Sequence, residues 1–244
     1  MSALPPGALN GQVALVTGAG RGIGRAVSRA LAREGAAVVL AARTRAELAA
    51  VAAEIREADG RALAIPTDVT QDAAVEALVE QTLGELGRLD ILVTAAGVAS
   101  FGPVSGAKPT DWDAMLAVNL RSVMVCCRAA LGPMVRQRRG TIVNIASVAA
   151  ARPIAGAAAY SATKAGVVGW SRVLAEEVRS DGIRVGVLLP GAVDTALWDA
   201  VPNAPDRSRM LTPEDVARAA LLMVTLPPGA ALEELALLPA GGIL

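Results

Sequence analysis

The 244-residue chain carries 23 basic and 23 acidic side chains, no histidine, and 53% hydrophobic but only 2% aromatic residues. Balanced charge gives no electrostatic case for nucleic acid or an anionic membrane surface as partner, and so few rings leave Ala, Val, Leu and Ile to build the core. The length suits one α/β domain over residues 1–244, with no linker-like tract, internal repeat or low-complexity segment to divide it.

Residues 1–7 lack the basic head and apolar core of a signal peptide, and no apolar stretch reaches the ~20 residues of a spanning helix, so a cytoplasmic protein is expected. Residues 12–17 read as a buried strand that runs into Gly18-Ala19-Gly20-Arg21-Gly22-Ile23-Gly24. Ile23, Ala26, Val27, Ala30 and Leu31 then recur at helical spacing. Strand, glycine turn and helix in that order form the setting of a dinucleotide-binding fingerprint. There the glycines allow close approach to a pyrophosphate, and the helix N-terminus meets its charge.

A second strand, residues 37–41, ends at Ala42-Arg43 with no acid placed to bond the ribose 2′-hydroxyl of NAD. Arg43, with Arg21 from the glycine turn, can instead take a 2′-phosphate, so NADP(H) is the expected cofactor ahead of NAD(H). Thr44 and Glu47 make a capping-box pattern before Leu48, Val51, Ala52 and Ile55. A short strand at 62–65 leads to Asp68-Val69, a helix follows with Val75, Leu78, Val79, Leu83 and Leu86, and a strand at 90–93 ends in Thr94-Ala95-Ala96-Gly97.

One continuous helix is expected over about 109–138, its end marked by Arg136-Gln137-Arg138-Arg139, where cations complement the helix dipole. Adjacent Cys126 and Cys127 on it read as reduced core or interface residues. A strand at 141–145 precedes Ser147, a helix carries Tyr160, and a strand spans 184–189. Residues 194–211 form a long loop containing Trp198. Thr212-Pro213 opens the last helix, and residues 235–238 supply a closing strand. Strands apolar on both faces, alternating with helices, imply a doubly wound parallel sheet covered on both sides.

The only tyrosine lies in Tyr160-Ser161-Ala162-Thr163-Lys164, where i and i+4 share a helix face and set the ammonium beside the phenol. A nearby cation favours the phenolate and lowers the phenol pKa. With no histidine present, this is the best-equipped acid/base pair in the chain. An isolated YxxxK would more often be a buried tyrosine with a surface lysine. Here it is joined by Ser147, thirteen residues upstream, and by the TGxxxGxG spacing from Thr17 to Gly24. Together these motifs resemble the short-chain dehydrogenase/reductase family, over nearly the whole chain.

That resemblance implies a Rossmann-like, seven-stranded, doubly wound parallel sheet. It implies hydride transfer between a nicotinamide and a carbonyl or secondary alcohol, with no metal. Tyr160 would be general acid/base, Ser147 would bond the carbonyl oxygen, Lys164 would bind the nicotinamide ribose, and Asn119 would hold a water on the proton path. It places Gly18, Gly20, Arg21, Gly22, Ile23, Gly24, Arg43, Asp68, Val69, Ala96, Gly97, Tyr160 and Lys164 on the cofactor, joined by Pro190, Gly191, Val193 and Thr195 of the PGxVxT segment. Residues 194–211 would close over the substrate. Leu197, Trp198, Met210 and Leu211 could line that lid or simply pack.

The family's usual Asn-Asn-Ala-Gly is Thr94-Ala95-Ala96-Gly97 here, so the hydrogen bonds of two amides must be made otherwise or lost. A small-molecule carbonyl reductase is the leading expectation. A 3-oxoacyl-carrier-protein reductase is an alternative, in which Arg138 could dock the acidic carrier but Asp181 would repel it. A non-catalytic NADP-binding sensor or scaffold is another. A homo-oligomer, tetramer or dimer, is also implied, and small residues Ala165, Gly166 and Gly169 would permit close helix contact.

Overall fold

The computed structural model describes residues 7–199, 201 and 205–242. Seven strands, β1 (Val13–Thr17), β2 (Ala37–Ala42), β3 (Arg61–Pro66), β4 (Ile91–Thr94), β5 (Gly140–Ile145), β6 (Ile183–Pro190) and β7 (Glu234–Leu237), pair in parallel in the order β3-β2-β1-β4-β5-β6-β7. Side chains alternate across a strand, and β1 shows the consequence. Val13 and Leu15 join the layer with α3 (Asp72–Leu86), α5 (Ser122–Gln137) and α6 (Ala158–Val178). Ala14 and Val16 join the layer with α1 (Gly22–Arg33), α2 (Arg45–Glu57) and α7 (Pro213–Thr225). Both layers are almost wholly aliphatic, so the doubly wound sheet expected from the alternation is the fold found.

Three local features add to or correct the expectations. The helix expected over 109–138 forms as one run, within which α4 (Pro109–Met115) passes through a π turn at Leu116–Arg121 before α5 begins. The wider turn carries Asn119, whose buried side chain takes partners outside the helix. Arg138 then ends α5 in the left-handed conformation (φ 53°). Second, Pro109–Gln137 is long and apolar enough by length and composition to cross a membrane, contrary to the expectation that no stretch is. In the fold Val123, Cys127, Ala130 and Met134 of this run lie in the sheet layer. Third, Thr44 caps α2 with no side-chain hydrogen bond, and Glu47 faces the glycine turn. The capping motif on α7 does form, Thr212 and Asp215 bonding each other's backbone reciprocally.

Hydroxyl groups make polar bonds around the exit of β4, where the amides are missing. Thr94 Oγ1 donates to Asn144 Oδ1 (2.7 Å), directly across the β4–β5 pair, and Asn144 Nδ2 donates to Ser171 Oγ (2.9 Å) on α6. Thr17 Oγ1 accepts from the backbone N–H of Ala95 and Ala96 (3.2 and 3.4 Å). Cys126 and Cys127 are buried, and burial pushes both thiols up to about 12.

Asn144 is fully buried, and removing its amide strands the Thr94 hydroxyl and takes a donor from Ser171 Oγ, which keeps its own bond to Val167 O. Asn144→Ala is expected to lower unfolding free energy by about 2–4 kcal/mol, read from urea midpoints. Thr94→Val, which removes one donor, should cost less than half as much.

Candidate active site

The strand order reverses direction beside β1, so connections leave β1 and β4 on opposite sides and a crevice opens at their carboxyl ends. A cleft of about 300 Å³ lies there. Gly18, at φ +66°, comes so close to the next strand's exit that an added Cβ would sit 2.7 Å from Ala96 N. Gly24 lies against Gly18, where a Cβ would sit 2.2 Å from the Gly18 carbonyl oxygen. Helix α1 begins above this turn with no side-chain cap and no acid in its first turn, so its backbone N–H groups are left for an anion. The cradle therefore fits a dinucleotide pyrophosphate.

Of the expected cofactor contacts, Gly18, Gly20, Arg21, Gly22, Ile23, Gly24, Arg43, Asp68, Val69, Ala96, Gly97, Tyr160, Lys164 and Thr195 all line this cleft. Pro190, Gly191 and Val193 stand just behind its wall. Pro190 ends β6, Gly191 N–H donates to Leu237 O (2.7 Å), and buried Val193 bridges to Leu211. At the β2 end, exposed Arg21 and Arg43 have no carboxylate within ion-pair distance among the described residues. Asp68 accepts from Thr70 N–H and Oγ1 (3.0 and 2.8 Å), and these bonds, aided by Arg43, hold its carboxyl below the usual range despite burial.

Sequence reasoning missed Glu47 here. Its carboxylate faces Gly20, 2.8 Å from where a Cβ would stand, and lines the cleft beside Arg21 and Arg43. The capping-box pattern pointed it elsewhere, and no sequence signal revealed the choice.

At the other end, α6 brings Tyr160 and Lys164 to the cleft. Lys164 is buried at 5% exposure, donates to Ile145 O (2.9 Å) and stands 5.8 Å from the Tyr160 ring centre. Burial lowers its ammonium to about 8. The expected lowering of the Tyr160 phenol does not appear in the cofactor-free chain. Burial raises it, the Ser147 hydroxyl draws it partly back, and the lysine ammonium is directed at the Ile145 carbonyl. At neutral pH the phenol thus holds its proton.

Ser147 caps the short turn Val148–Ala150, accepting from Ala149 N–H (3.2 Å) and donating to Pro190 O (3.4 Å). Asn119 stands behind the cleft. It exchanges hydrogen bonds with Val98 N–H and C=O (2.9 and 2.8 Å) and donates to Thr163 Oγ1 (3.2 Å). Its oxygen and the Lys164 Nζ both face Gly97.

The 194–211 loop is clamped at its neck by Asp194 N–H to Leu211 O and Leu211 N–H to Ala192 O (both 2.9 Å). Arg207 pairs with Asp194 and Asp199 across it. Leu197 lines the cleft, Trp198 donates its indole N–H to Val193 O (2.9 Å), and Met210 and Leu211 are buried packing residues.

Residues 12–206 match the family model described as short chain dehydrogenase. An uncharacterized oxidoreductase of Staphylococcus aureus (strain MRSA252) is 36% identical over 231 residues, 95% of this chain and 98% of that one. The crystal structure of a metagenomic short-chain oxidoreductase in complex with NADP superposes with a TM-score of 0.84 at 38% identity, covering 96% of this chain and 99% of that one. An alcohol dehydrogenase from the archaeon Thermococcus sibiricus, complexed with 5-hydroxy-NADP, gives 0.87 at 32% identity, covering 94% and 97%.

The buried lysine makes the free chain's stability depend on pH. The folded state releases the proton at about 8 against 10.5 in the reference side chain, so between these values the unfolded state binds more protons and stability rises with pH. The burden of the buried ammonium is full below about 8 and is relieved as pH rises toward 10.5. From about pH 7.5 to about 9.5, wild type should gain about 2 kcal/mol over Lys164→Met in unfolding free energy, measured by urea titration without cofactor.

Proposed function

The chain belongs to the short-chain dehydrogenase family, and from that premise we propose that it is a cytoplasmic NADP(H)-dependent reductase of carbonyls, or oxidant of the corresponding secondary alcohols. The carrying observation is the pairing of a proton-bearing Tyr160, with Ser147 alongside and Lys164 buried beneath, with two unpaired arginines at the opposite end of one cleft. The glycine turn and the α1 N-terminus would hold the pyrophosphate, Arg21 and Arg43 the 2′-phosphate, Asp68 and Val69 the adenine. Ala96, Gly97, Pro190, Gly191, Val193 and Thr195 would border the nicotinamide. Bound NADPH supplies the hydride.

Tyr160 donates its proton to the carbonyl oxygen, and the Ser147 hydroxyl turns from Pro190 to bond the same oxygen as charge develops there. Lys164 would bind the nicotinamide ribose, and its cation beside the phenol would ease loss of the proton. Asn119 holds the Val98–Gly97 backbone against α6 and keeps a route for reprotonation open behind Lys164. The segment 194–211, of which residues 200 and 202–204 lie outside the described residues, would close over the substrate, with Leu197 lining the cleft.

The two alternatives fare less well. Arg138, the one candidate for docking an acidic carrier, is bound to Asp181 (3.3 Å) and the Ser180 carbonyl (3.0 Å). A sensor without chemistry has no need of a tyrosine, serine and buried lysine brought to one point. A homo-oligomer is the assembly expected here, and Val104 and Leu116, large apolar side chains at 60% and 46% exposure, are surface that a partner subunit would cover. A monomeric mass by light scattering would refute it.

Tyr160→Phe should retain NADPH binding and lose turnover across a panel of ketones, aldehydes and sugars; substantial residual turnover would remove Tyr160 as the acid. The joint change Arg21→Ala and Arg43→Ala should weaken NADPH binding by at least about tenfold and leave NADH nearly unchanged. Glu47→Gln, which removes an anion from the 2′ end, should tighten NADPH and not NADH in a fluorescence titration.

A further inference from the structure

The chain has one tyrosine, one phenylalanine and three tryptophans, and three of these five rings meet at one place. Phe101, between β4 and α4, stacks on Trp198 of the 194–211 loop with centroids 5.6 Å apart and planes 2° apart. The same phenyl ring meets Tyr160 at 5.7 Å, tilted by 53°. None of the three belongs to either aliphatic layer of the core, and each keeps part of its surface open. Phe101 and Trp198 sit on two loops and hold no helix against the sheet. A chain that packs itself with Ala, Val, Leu and Ile has put its flat surfaces beside the phenol.

Charge points the same way. Apart from Lys164, the charged side chains lining the cleft are Arg21, Arg43, Glu47 and Asp68, all at the β2 end. On the loop, Arg207 is taken by Asp194 and Asp199. Near Tyr160 the wall is made by Val98, Ala196 and Leu197. A substrate carboxylate or phosphate finds no counter-charge on this wall of the cleft, whereas the exposed ring surface of Phe101, on whose far side Lys108 and Asp111 line a separate hollow, offers a neutral planar group a flat apolar face.

We propose that the Phe101–Trp198 stack selects uncharged aryl ketones, the aryl group packing on the stack while the carbonyl oxygen lies at Tyr160 and Ser147. This rests on the reductase reading above. The test compares acetophenone with cyclohexyl methyl ketone, which match closely in size and carbonyl position and differ in the flat π face. Two quantities are read: kcat/KM with NADPH, and the dissociation constant of each ketone on the NADP⁺-loaded chain, where no hydride is available and binding alone is seen.

The expected result is a preference for acetophenone of about three- to tenfold in both. Phe101→Leu and Trp198→Leu should abolish it and Trp198→Phe should keep it. Equal values for the two ketones in wild type, or a preference that survives both leucine variants, overturns the proposal and leaves the reductase standing. Absence of NADPH consumption with either ketone counts against the reductase reading for this substrate class. The binding ratio then decides the role of the stack by itself.

Discussion

The splitting of two backbones at the carboxyl ends of β1 and β4 is the constraint on which the rest depends. In a doubly wound sheet the two connections must leave in opposite directions, and the gap between them is where a ligand fits. Here the parting is held at a fixed width. Thr17 Oγ1 accepts from Ala95 and Ala96 N–H, and Gly18 lies so near Ala96 that no side chain could intervene. Every group at the cleft takes its position from this junction: the glycine turn follows one strand, Gly97 the other, and α1 starts directly above.

Helix α6 is fixed to that junction through polar ties in a largely apolar interior. Thr163 meets Asn119, which clasps Val98 just after β4; Lys164 reaches Ile145 O at the end of β5; Ser171 meets Asn144, itself bonded to Thr94. Buried polar groups with satisfied partners hold their geometry closely, because each alternative leaves a donor or acceptor stranded. Tyr160 thus rides a helix held by three tethers beyond it, at Thr163, Lys164 and Ser171, while its ring meets Phe101.

Much of this was legible in the sequence. Strand and helix order followed from apolar periodicity, and the glycine spacing and the Tyr160–Lys164 interval marked the two ends of the cleft before any coordinates. What escaped depends on choices between partners that a sequence does not rank. Glu47 could cap α2 or face the glycine turn, and both uses fit the same residue at the same spacing. Asn119 could ride a regular helix, whereas it sits in a π turn with its amide bonded to Val98 and Thr163 outside that turn. The replacement of two family asparagines by Thr94 and Ala95 suggested a loss. The compensation required Asn144 and Thr17, which lie far off in sequence and adjacent only across paired strands. Phe101 carried no motif at all, and only its stacking on Trp198 drew attention to it.

The poverty of aromatic residues has a practical corollary. Since Tyr160 is the sole tyrosine and histidine is absent, a single isotopically labelled tyrosine yields one phenol resonance, and that resonance comes from the atom next to the buried lysine. Ionisation at this one oxygen can be followed through nucleotide binding and product release with no overlapping signal and no mutation.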